Sequence, residues 1–178
     1  MTVVSSPSPR STPFRITAVC LGNICRSPIA EAVIRDRAAT AGLGSLVTVD
    51  SAGTGDWHLG HGADPRSLST LASHGYQLEG HISRRIDADW FYGLDLVLAM
   101  DSMNYRDLLV LATMTGSEPD VRMLRSFDPA LAHLEAPHPE LDVPDPYYGR
   151  RDGFGAVLSM IEAAADGLVR ELADRLDR

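Results

Sequence analysis

One short segment constrains the fold of this chain more than any other: Val19-Cys20-Leu21-Gly22-Asn23-Ile24-Cys25-Arg26-Ser27-Pro28. An apolar run precedes it, and its last two residues predict a helix start, with Ser27 at the N-cap and Pro28 at the first helical position. A strand, a tight loop and a helix N-terminus in that order favour anion binding, because backbone N–H groups and the helix dipole converge on the loop. Cys20 and Arg26 stand at the two ends of this loop, so the segment predicts a thiol and a guanidinium beside a bound oxyanion.

The composition excludes several classes of protein. With 178 residues, 44% of them hydrophobic and 22% charged, the chain predicts one globular domain. Its net charge of −8 argues against nucleic acid as a partner, and no apolar run approaches the roughly 20 residues that a membrane span requires. All the basic side chains other than histidine are arginines, so no lysine amine is available for Schiff-base chemistry.

The N-terminus and the cysteines indicate where the protein works. Residues 1–13 are rich in serine and proline and lack the apolar region of a Sec-type signal peptide, so we predict a flexible leader before one domain at residues 14–178. Cys20 and Cys25 lie in the same loop, which is no disulfide framework and indicates a reducing compartment. We therefore expect a cytoplasmic protein, while export without a Sec-type signal stays open.

Hydrophobic periodicity predicts an α/β fold. The predicted strands are residues 14–20, 46–49, 94–100 and 121–127. The predicted helices are residues 28–41, 65–73, 87–92, a helix capped by Asp101 or Ser102 that runs to 113, and a closing helix that contains residues 157–176. Strands that alternate with helices predict a single domain in which a four-stranded parallel sheet carries helices on both faces.

The predicted sheet gathers polar residues at one edge. In parallel sheets the ligand binds outside the carboxyl ends of the strands. Cys20 ends the first predicted strand, the turn that begins at Ser51 follows the second, Asp101 follows the third and Asp128 follows the fourth. Residues 128–149 carry five prolines and predict a long functional loop beyond that edge.

The residues of the loop suit attack by sulfur on a phosphate. Backbone N–H groups, the helix N-terminus and Arg26 would favour the thiolate of Cys20 over an inert core cysteine. Arg26 would bind two phosphate oxygens side-on, in preference to a surface salt bridge. Gly22 permits close backbone approach, and Asn23 tolerates unusual dihedral angles. Ser27 could donate its hydroxyl to the Cys20 sulfur, in competition with its role as N-cap.

A leaving oxygen needs a proton, and two carboxyl groups could supply it. Asp142 and Asp145 lie in the same proline-rich loop, and each could equally cap that loop, so the residues alone do not choose between them. Tyr147 and Tyr148 predict an aromatic wall or plain packing. Trp57 is either a core residue or a side chain that faces the substrate.

Metal and cofactor signals are weak. His58 and His61 have a spacing that some metal ligands share, but they lack companions, so we expect no metal. The Gly53-Thr54-Gly55 turn lacks the rest of a dinucleotide fingerprint, and we expect no cofactor.

Residues 19–28 and the segment Asp142-Val143-Pro144-Asp145-Pro146-Tyr147-Tyr148-Gly149 resemble the low-molecular-weight protein tyrosine phosphatases, in particular the bacterial and actinobacterial type. The resemblance covers the chain from about residue 14 to its end and implies the flavodoxin-like fold named phosphotyrosine phosphatase I. It implies Cys20 as nucleophile, Arg26 as phosphate binder and Asp145 as general acid and base. The remaining positions that it implies are the phosphate-binding loop (Leu21, Gly22, Asn23, Ile24, Cys25 and Ser27), the loop supports (Asn23, Ser27, Ser51 and His81), the walls of the substrate cleft (Trp57, Tyr147 and Tyr148) and the supporting segments Arg84 and Asp101-Ser102-Met103-Asn104.

The same resemblance implies a reaction and its partners. Cys20 would form a phosphocysteine intermediate while Asp145 protonates the tyrosine oxygen, and water would then hydrolyse the intermediate without a metal. Phosphotyrosine proteins would be the substrates, opposed by a cognate tyrosine kinase, and inorganic phosphate or another oxyanion would fit the loop. At position 24 the relatives that resemble protein-arginine phosphatases carry threonine, so Ile24 favours tyrosine.

Alternatives to this function are testable. An arsenate reductase resembles the fold and the loop but passes oxidation to additional cysteines, which this sequence lacks after Cys25. A non-catalytic phosphotyrosine-binding module would not need Cys20, Arg26 and Asp145 together. Cys25 could trap an oxidised Cys20 as a disulfide or could be a small core side chain, and the sequence does not separate these two roles.

Overall fold

A computed structural model describes residues 12–117, 120–150 and 152–176. The predicted leader lies outside these residues except for its last two. Within the described ranges, no helix has the length and apolar character needed to cross a membrane.

The centre of the fold is a four-stranded parallel sheet with the strand order β2-β1-β3-β4. The strands are β1 (Phe14–Cys20), β2 (Val47–Gly53), β3 (Leu96–Ala99) and β4 (Asp120–Met123). The residues of β3 are all buried, as expected for a parallel strand covered on both faces. The sheet confirms the predicted fold class.

Helices cover both faces of the sheet. In the described part of the chain the α-helices are α1 (Arg26–Thr40), α2 (Pro65–Ser73), α3 (Ser102–Thr113) and α4 (Gly153–Leu176). Leu96 and Leu98 of β3 pack in a core with α1 and α4, whereas Val97 and Ala99 pack on the other face with α3. This alternation follows from the two-residue period of a strand.

Short 3₁₀ turns connect the main elements. They lie at Ala88–Gly93, Leu124–Phe127, Pro129–Leu131 and Pro139–Leu141. The long predicted loop therefore contains two of these turns. The second strand extends beyond its predicted end at residue 49, because β2 stays paired with β1 as far as Gly53.

Further predictions about element ends are wrong, and β3 is shorter at both ends than the predicted 94–100. Helix α1 begins at Arg26, with Cys25 at the N-cap position and no capping side chain, because the Ser27 hydroxyl bonds to loop atoms instead. The fourth strand ends at Met123, since Leu124 and Phe127 turn inward to be buried. Asp128 consequently lies away from the strand end and accepts a hydrogen bond from the Ala130 N–H.

Candidate active site

A cavity of about 390 Å³ opens at the carboxyl edge of the sheet, where β1 ends. Three separate segments form its wall: the loop between β1 and α1, residues 57–58, and residues 145–148. The lining residues are Cys20, Leu21, Gly22, Ile24, Cys25, Arg26, Trp57, His58, Asp145, Tyr147 and Tyr148. The cavity thus brings together residues that lie far apart in the sequence.

The Asn23 side chain ties the loop to its surroundings. Asn23 is fully buried, and its φ of 54° lies in the left-handed region that asparagine tolerates better than most residues. Its Nδ2 donates to Ser27 Oγ at 2.9 Å and to Ser51 Oγ at 3.0 Å, and its Oδ1 accepts from Arg84 N at 2.9 Å. A single amide therefore connects the loop to α1, to β2 and to the chain after His81.

The end of β2 supports the same loop through its backbone. Thr54 N donates to Cys20 O and Gly55 N to Leu21 O, each at 2.9 Å. A Cβ atom on Gly53 would lie 2.6 Å from Leu21 O, so this close approach requires glycine. Backbone contacts on this side and the Asn23 side chain on the other hold the loop in one shape.

The sulfur of Cys20 faces hydrogen-bonding groups inside this loop. Its Sγ lies 3.0 Å from Ser27 Oγ and accepts from Asn23 N at 3.3 Å. The Ser27 hydroxyl also lies within 3.3 Å of the Ala52 carbonyl oxygen, to which it can donate its one proton. The sulfur therefore accepts at least one hydrogen bond from within the loop.

Arg26 is buried beside the sulfur and bonds to carboxylates on two other segments. Its Nη1 donates to Asp101 Oδ2 at 2.6 Å and to Val143 O at 3.0 Å, and its Nη2 donates to Asp145 Oδ2 at 3.3 Å. Burial alone would lower the pKa of Arg26, but the negative charges of Cys20, Asp101 and Asp145 outweigh burial and raise it. Among the described residues nothing accepts a hydrogen bond from its buried Nε.

A buried carboxylate lies behind the loop. Glu31 Oε2 accepts from Ser51 Oγ at 2.6 Å and lies 3.7 Å from His81 Nδ1, while Arg35 pairs with the other oxygen. His81 Nε2 donates to the Asn23 carbonyl oxygen at 2.8 Å. Burial would raise the pKa of Glu31, but the bonds from His81 and Ser51 and the charge of Arg35 lower it below its ordinary value of 4.5.

We expect Glu31→Gln to weaken the fold by about 1–2 kcal/mol at pH 7, since it keeps an acceptor for Ser51 but removes a paired charge. Because its pKa is lowered in the folded state, Glu31 stabilises the wild type above pH 4.5, and this stabilisation is lost as the pH falls through the folded-state pKa. Urea unfolding between pH 3 and pH 7 measures both effects. The exposed Glu171 offers a matched control, and Glu171→Gln should change stability by less than about 0.5 kcal/mol. Equal acid sensitivity of Glu31→Gln and the wild type would contradict this expectation.

Cys25 differs from Cys20 in its surroundings. Burial and the negative charge of Asp64 raise the pKa of Cys25 to about 12, so its thiol keeps its proton at neutral pH. Both cysteines are free. The surroundings of Cys25 therefore favour the role of a small core side chain over that of a reactive thiolate.

Aromatic side chains form an exposed rim around the cavity. Trp57 is 69% exposed and Tyr148 is 93% exposed. Tyr147 lies between the rim and the interior: its ring meets Tyr148 edge-on at 4.8 Å, and the Arg66 guanidinium covers it at 5.4 Å. Arg66 in turn is held by two oxygens of Asp64. Trp57 is therefore a surface residue and not a core residue.

The structure separates Asp142 from Asp145. Asp145 lines the cavity, and its Oδ1 accepts from Tyr147 N at 3.1 Å. Asp142 is not among the lining residues and accepts two hydrogen bonds from Ser102. The loop supports Ser51, His81 and Arg84 all contact the loop or the side chains that hold it.

Sequence reasoning missed three residues around the site. His58 lines the cavity with its ring 6.1 Å from that of Tyr147, whereas its spacing to His61 had indicated only a weak metal motif. Glu31 was missed although it is a charged residue on the buried side of α1, which was a usable signal. Arg66 gave no sequence signal, because its role depends on Tyr147, 81 residues later.

This arrangement suits one kind of chemistry. An oxyanion in the cavity would meet the loop, the Arg26 guanidinium and the Cys20 sulfur, with the Asp145 carboxyl group in the same cavity to handle a proton. These groups are the ones that phosphoryl transfer through a cysteine requires.

Comparison with known proteins identifies the family. The family model described as low molecular weight phosphotyrosine protein phosphatase matches residues 15–178. A low molecular weight protein-tyrosine-phosphatase from Streptomyces coelicolor is 52% identical over 164 residues, which cover 92% of this chain and 96% of that protein. The low molecular weight protein-tyrosine phosphatase A of Mycobacterium tuberculosis is 42% identical over 94% of this chain and 97% of its own length.

Solved structures agree with the sequence comparison. The protein tyrosine phosphatase of Entamoeba histolytica, crystallised with Hepes in its active site, superimposes with a TM-score of 0.79 and 34% identity, covering 91% of this chain and 98% of that one. The chain belongs to the low molecular weight phosphotyrosine protein phosphatase family, of the type found in actinobacteria.

Proposed function

We propose that this chain removes phosphate from phosphotyrosine in proteins through a phosphocysteine intermediate on Cys20. One observation carries the proposal: a sulfur that accepts a hydrogen bond from Asn23 N, a buried guanidinium and a carboxyl group line the same cavity. Phosphoryl transfer requires little beyond positioning and the stabilisation of charge, and these groups are suited to both.

In the first step the Cys20 thiolate attacks phosphorus in line with the leaving oxygen. The S–P bond forms as the P–O bond to tyrosine breaks, and Asp145 gives its proton to the departing phenolate oxygen. Arg26 and the loop N–H groups stabilise the charge on the equatorial oxygens. Arg26 Nη2 holds the Asp145 carboxylate at 3.3 Å, which accords with a carboxyl group kept near the reacting oxygen.

In the second step water attacks the phosphocysteine. Asp145 now accepts a proton from that water, an O–P bond forms and the S–P bond breaks, which releases inorganic phosphate and the Cys20 thiolate. Ser27 Oγ, 3.0 Å from the sulfur, is placed to donate to the departing thiolate. This contact is available because Ser27 does not serve as a helix cap.

The walls of the cavity favour a phenyl ring as the leaving group. Ile24 is a partly buried apolar side chain that lines the cavity, and Trp57, Tyr147 and Tyr148 add aromatic surface to its walls. A flat apolar ring buries well between such side chains, whereas a guanidinium would leave polar N–H groups against isoleucine. We therefore expect phosphotyrosine to be a better substrate than phosphoarginine.

Turnover of matched peptides that carry phosphotyrosine, phosphoserine or phosphoarginine tests this proposal. We expect kcat/KM to be highest for the phosphotyrosine peptide and Ile24→Thr to lower it about 10-fold, as a lost apolar contact in a pocket does. Ile82→Thr, a matched change at an exposed residue that does not line the cavity, should leave the rates unchanged. A wild type that prefers phosphoarginine would contradict the assignment.

The same assays separate the alternative functions. A non-catalytic binding module would bind the phosphotyrosine peptide without releasing phosphate. An arsenate reductase would consume a thiol reductant in an arsenate-dependent manner, and we expect none to be consumed. As part of this proposal we place the enzyme in the cytoplasm, where its free thiols stay reduced and a cognate tyrosine kinase would supply its substrates.

A further inference from the structure

The N-terminus of α3 binds two carboxylates from different segments of the chain. Asp101 caps the helix: its Oδ1 accepts from Asn104 N at 2.7 Å, and its Oδ2 accepts from Arg26 Nη1 at 2.6 Å. Asp142 Oδ1 accepts from Ser102 N at 2.7 Å and from Ser102 Oγ at 2.6 Å. Both carboxylates lie at the positive end of the helix dipole, where negative charge is stabilised.

The chain from Asp142 to Asp145 is short and held at several points. Val143 N donates to Met100 O at 2.7 Å, and Val143 O accepts from Arg26 Nη1 at 3.0 Å. Asp142 O accepts from Arg125 Nη1 at 3.1 Å. Pro144 restricts the next φ angle, so little freedom remains between the anchored residue and Asp145.

Asp145 itself is held much less firmly. Its side chain is 42% exposed, and the two hydrogen bonds that its carboxylate accepts come from Arg26 at 3.3 Å and from Tyr147 N at 3.1 Å. The first of these must yield when Arg26 binds a phosphate. The position of the carboxyl group then depends on the segment that precedes it, and that segment is fastened to α3 through Asp142.

We propose that Asp142 is a positioning residue for the reaction. Its bonds to Ser102 fix the proline-rich loop on the helix that also holds Arg26, so that one rigid element sets the distance between the phosphate-binding arginine and the proton donor. This inference rests on the proposed role of Asp145. It adds a residue that acts through Asp145 and does not touch the substrate.

Leaving-group dependence provides the test, because a general acid matters most when the departing oxygen is a poor leaving group. The kcat/KM of purified Asp142→Ala is measured with phenyl phosphate and with 2,4-dinitrophenyl phosphate, whose leaving group needs no proton. We expect a loss of about 10-fold for phenyl phosphate, since small misplacements of a catalytic group are costly. The rate with 2,4-dinitrophenyl phosphate should change less than about 2-fold, because its departure does not depend on the misplaced group.

Two further variants keep the test independent of folding. Asp142→Asn retains an acceptor for the Ser102 bonds and should recover most of the phenyl phosphate rate. Ser102→Ala removes one of the two bonds and should show the same selective loss in weaker form. Asp128→Ala, which removes a capping aspartate from the same long loop away from the cavity, is the matched control and should change neither rate.

Asp145→Asn is measured in parallel, so that a failure of the proposed role of Asp145 can be distinguished from a failure of the proposed role of Asp142. If Asp145→Asn shows no leaving-group dependence, the proposed acid is wrong. If Asp145→Asn shows this dependence but Asp142→Ala lowers kcat/KM equally for both substrates, Asp142 is merely structural. If Asp142→Ala lowers kcat/KM for neither substrate, Asp142 is dispensable. Either result overturns the present inference. If Asp142→Ala does not fold, Asp142→Asn and Ser102→Ala decide on the same criterion.

Discussion

Replacing Cys20 by serine is expected to lower kcat for aryl phosphates at least about 10³-fold, which is of the size seen when an enzyme loses its nucleophile. A serine hydroxyl keeps its proton at neutral pH and needs a base to become nucleophilic. Among the described residues, the groups that hydrogen-bond with the sulfur are a hydroxyl and a backbone N–H, neither of which is a base, and the proposed mechanism assigns Asp145 to the leaving oxygen. The loss therefore follows from the chemistry of the site and requires no change in its shape.

Two measurements accompany this prediction. Phosphate binding to Cys20→Ser, followed by calorimetry, should persist because Arg26 and the loop N–H groups remain. Cys25→Ser removes the other thiol from the same loop and should keep measurable turnover, since Cys25 has a pKa of about 12 and is not the reactive thiolate. If Cys20→Ser retained a tenth of the wild-type rate with p-nitrophenyl phosphate, Cys20 would not be the nucleophile.

The second large effect is expected at Arg26. Arg26→Lys keeps the positive charge but loses the planar fork, and we expect kcat/KM to fall about 10³-fold, near the lower end of what a charge-stabilising arginine contributes to phosphoryl transfer. A lysine amine cannot bond to Asp101, Val143 O and a phosphate oxygen with the geometry that Nη1 and Nε provide. Steady-state kinetics with p-nitrophenyl phosphate measure the loss.

Arg26→Ala should in addition destabilise the fold by about 3 kcal/mol, because it leaves partly buried carboxylates without their partner. Urea unfolding separates this loss from the kinetic one. Arg122→Lys is the matched control: it makes the same change in an ion pair with Glu171 outside the cavity and should leave kcat/KM unaltered. If Arg26→Lys kept kcat/KM within 10-fold of the wild type, the fork would not be required.

Much of the fold could be predicted because its strongest signals are local. Strand β1 has the predicted bounds, since an apolar β-rich run ends at the loop. Helix α2 likewise has the predicted bounds, because Pro65 suits its first position and Asp64, whose side chain accepts from Arg66 N, precedes it as the cap. At both places the local preference and the tertiary structure agree.

The wrong predictions arose where distant contacts outweigh local preference. Serine is a favoured N-cap, yet Ser27 lies inside α1, because its hydroxyl is engaged with Asn23 and Cys20 in the folded loop. The fourth strand looked longer because Leu124 and Phe127 are apolar, but they enter the core from a 3₁₀ turn. Periodicity does not distinguish these two ways of burying a side chain.

The same limit applied to the site. Asp142 and Asp145 could not be distinguished from the sequence, because the difference lies in Ser102, 40 residues away, which binds only the first of them. The loop residues were easier to predict, since the strand, loop and helix that form it are contiguous. From other segments, Asp145 and the cleft aromatics were implied by the family resemblance, whereas His58 could be found only from the fold.

The close approach of Gly53 to the loop has a consequence for inhibitors. Because backbone bonds from residues 54 and 55 already shape the loop, an oxyanion binds a preformed cradle and gains little by adapting to it. Any phosphate mimic would therefore be accepted by this cradle and by those of related enzymes alike. Selective compounds must derive their discrimination from the exposed outer aromatics, Trp57 and Tyr148, where side chains rather than backbone decide the fit.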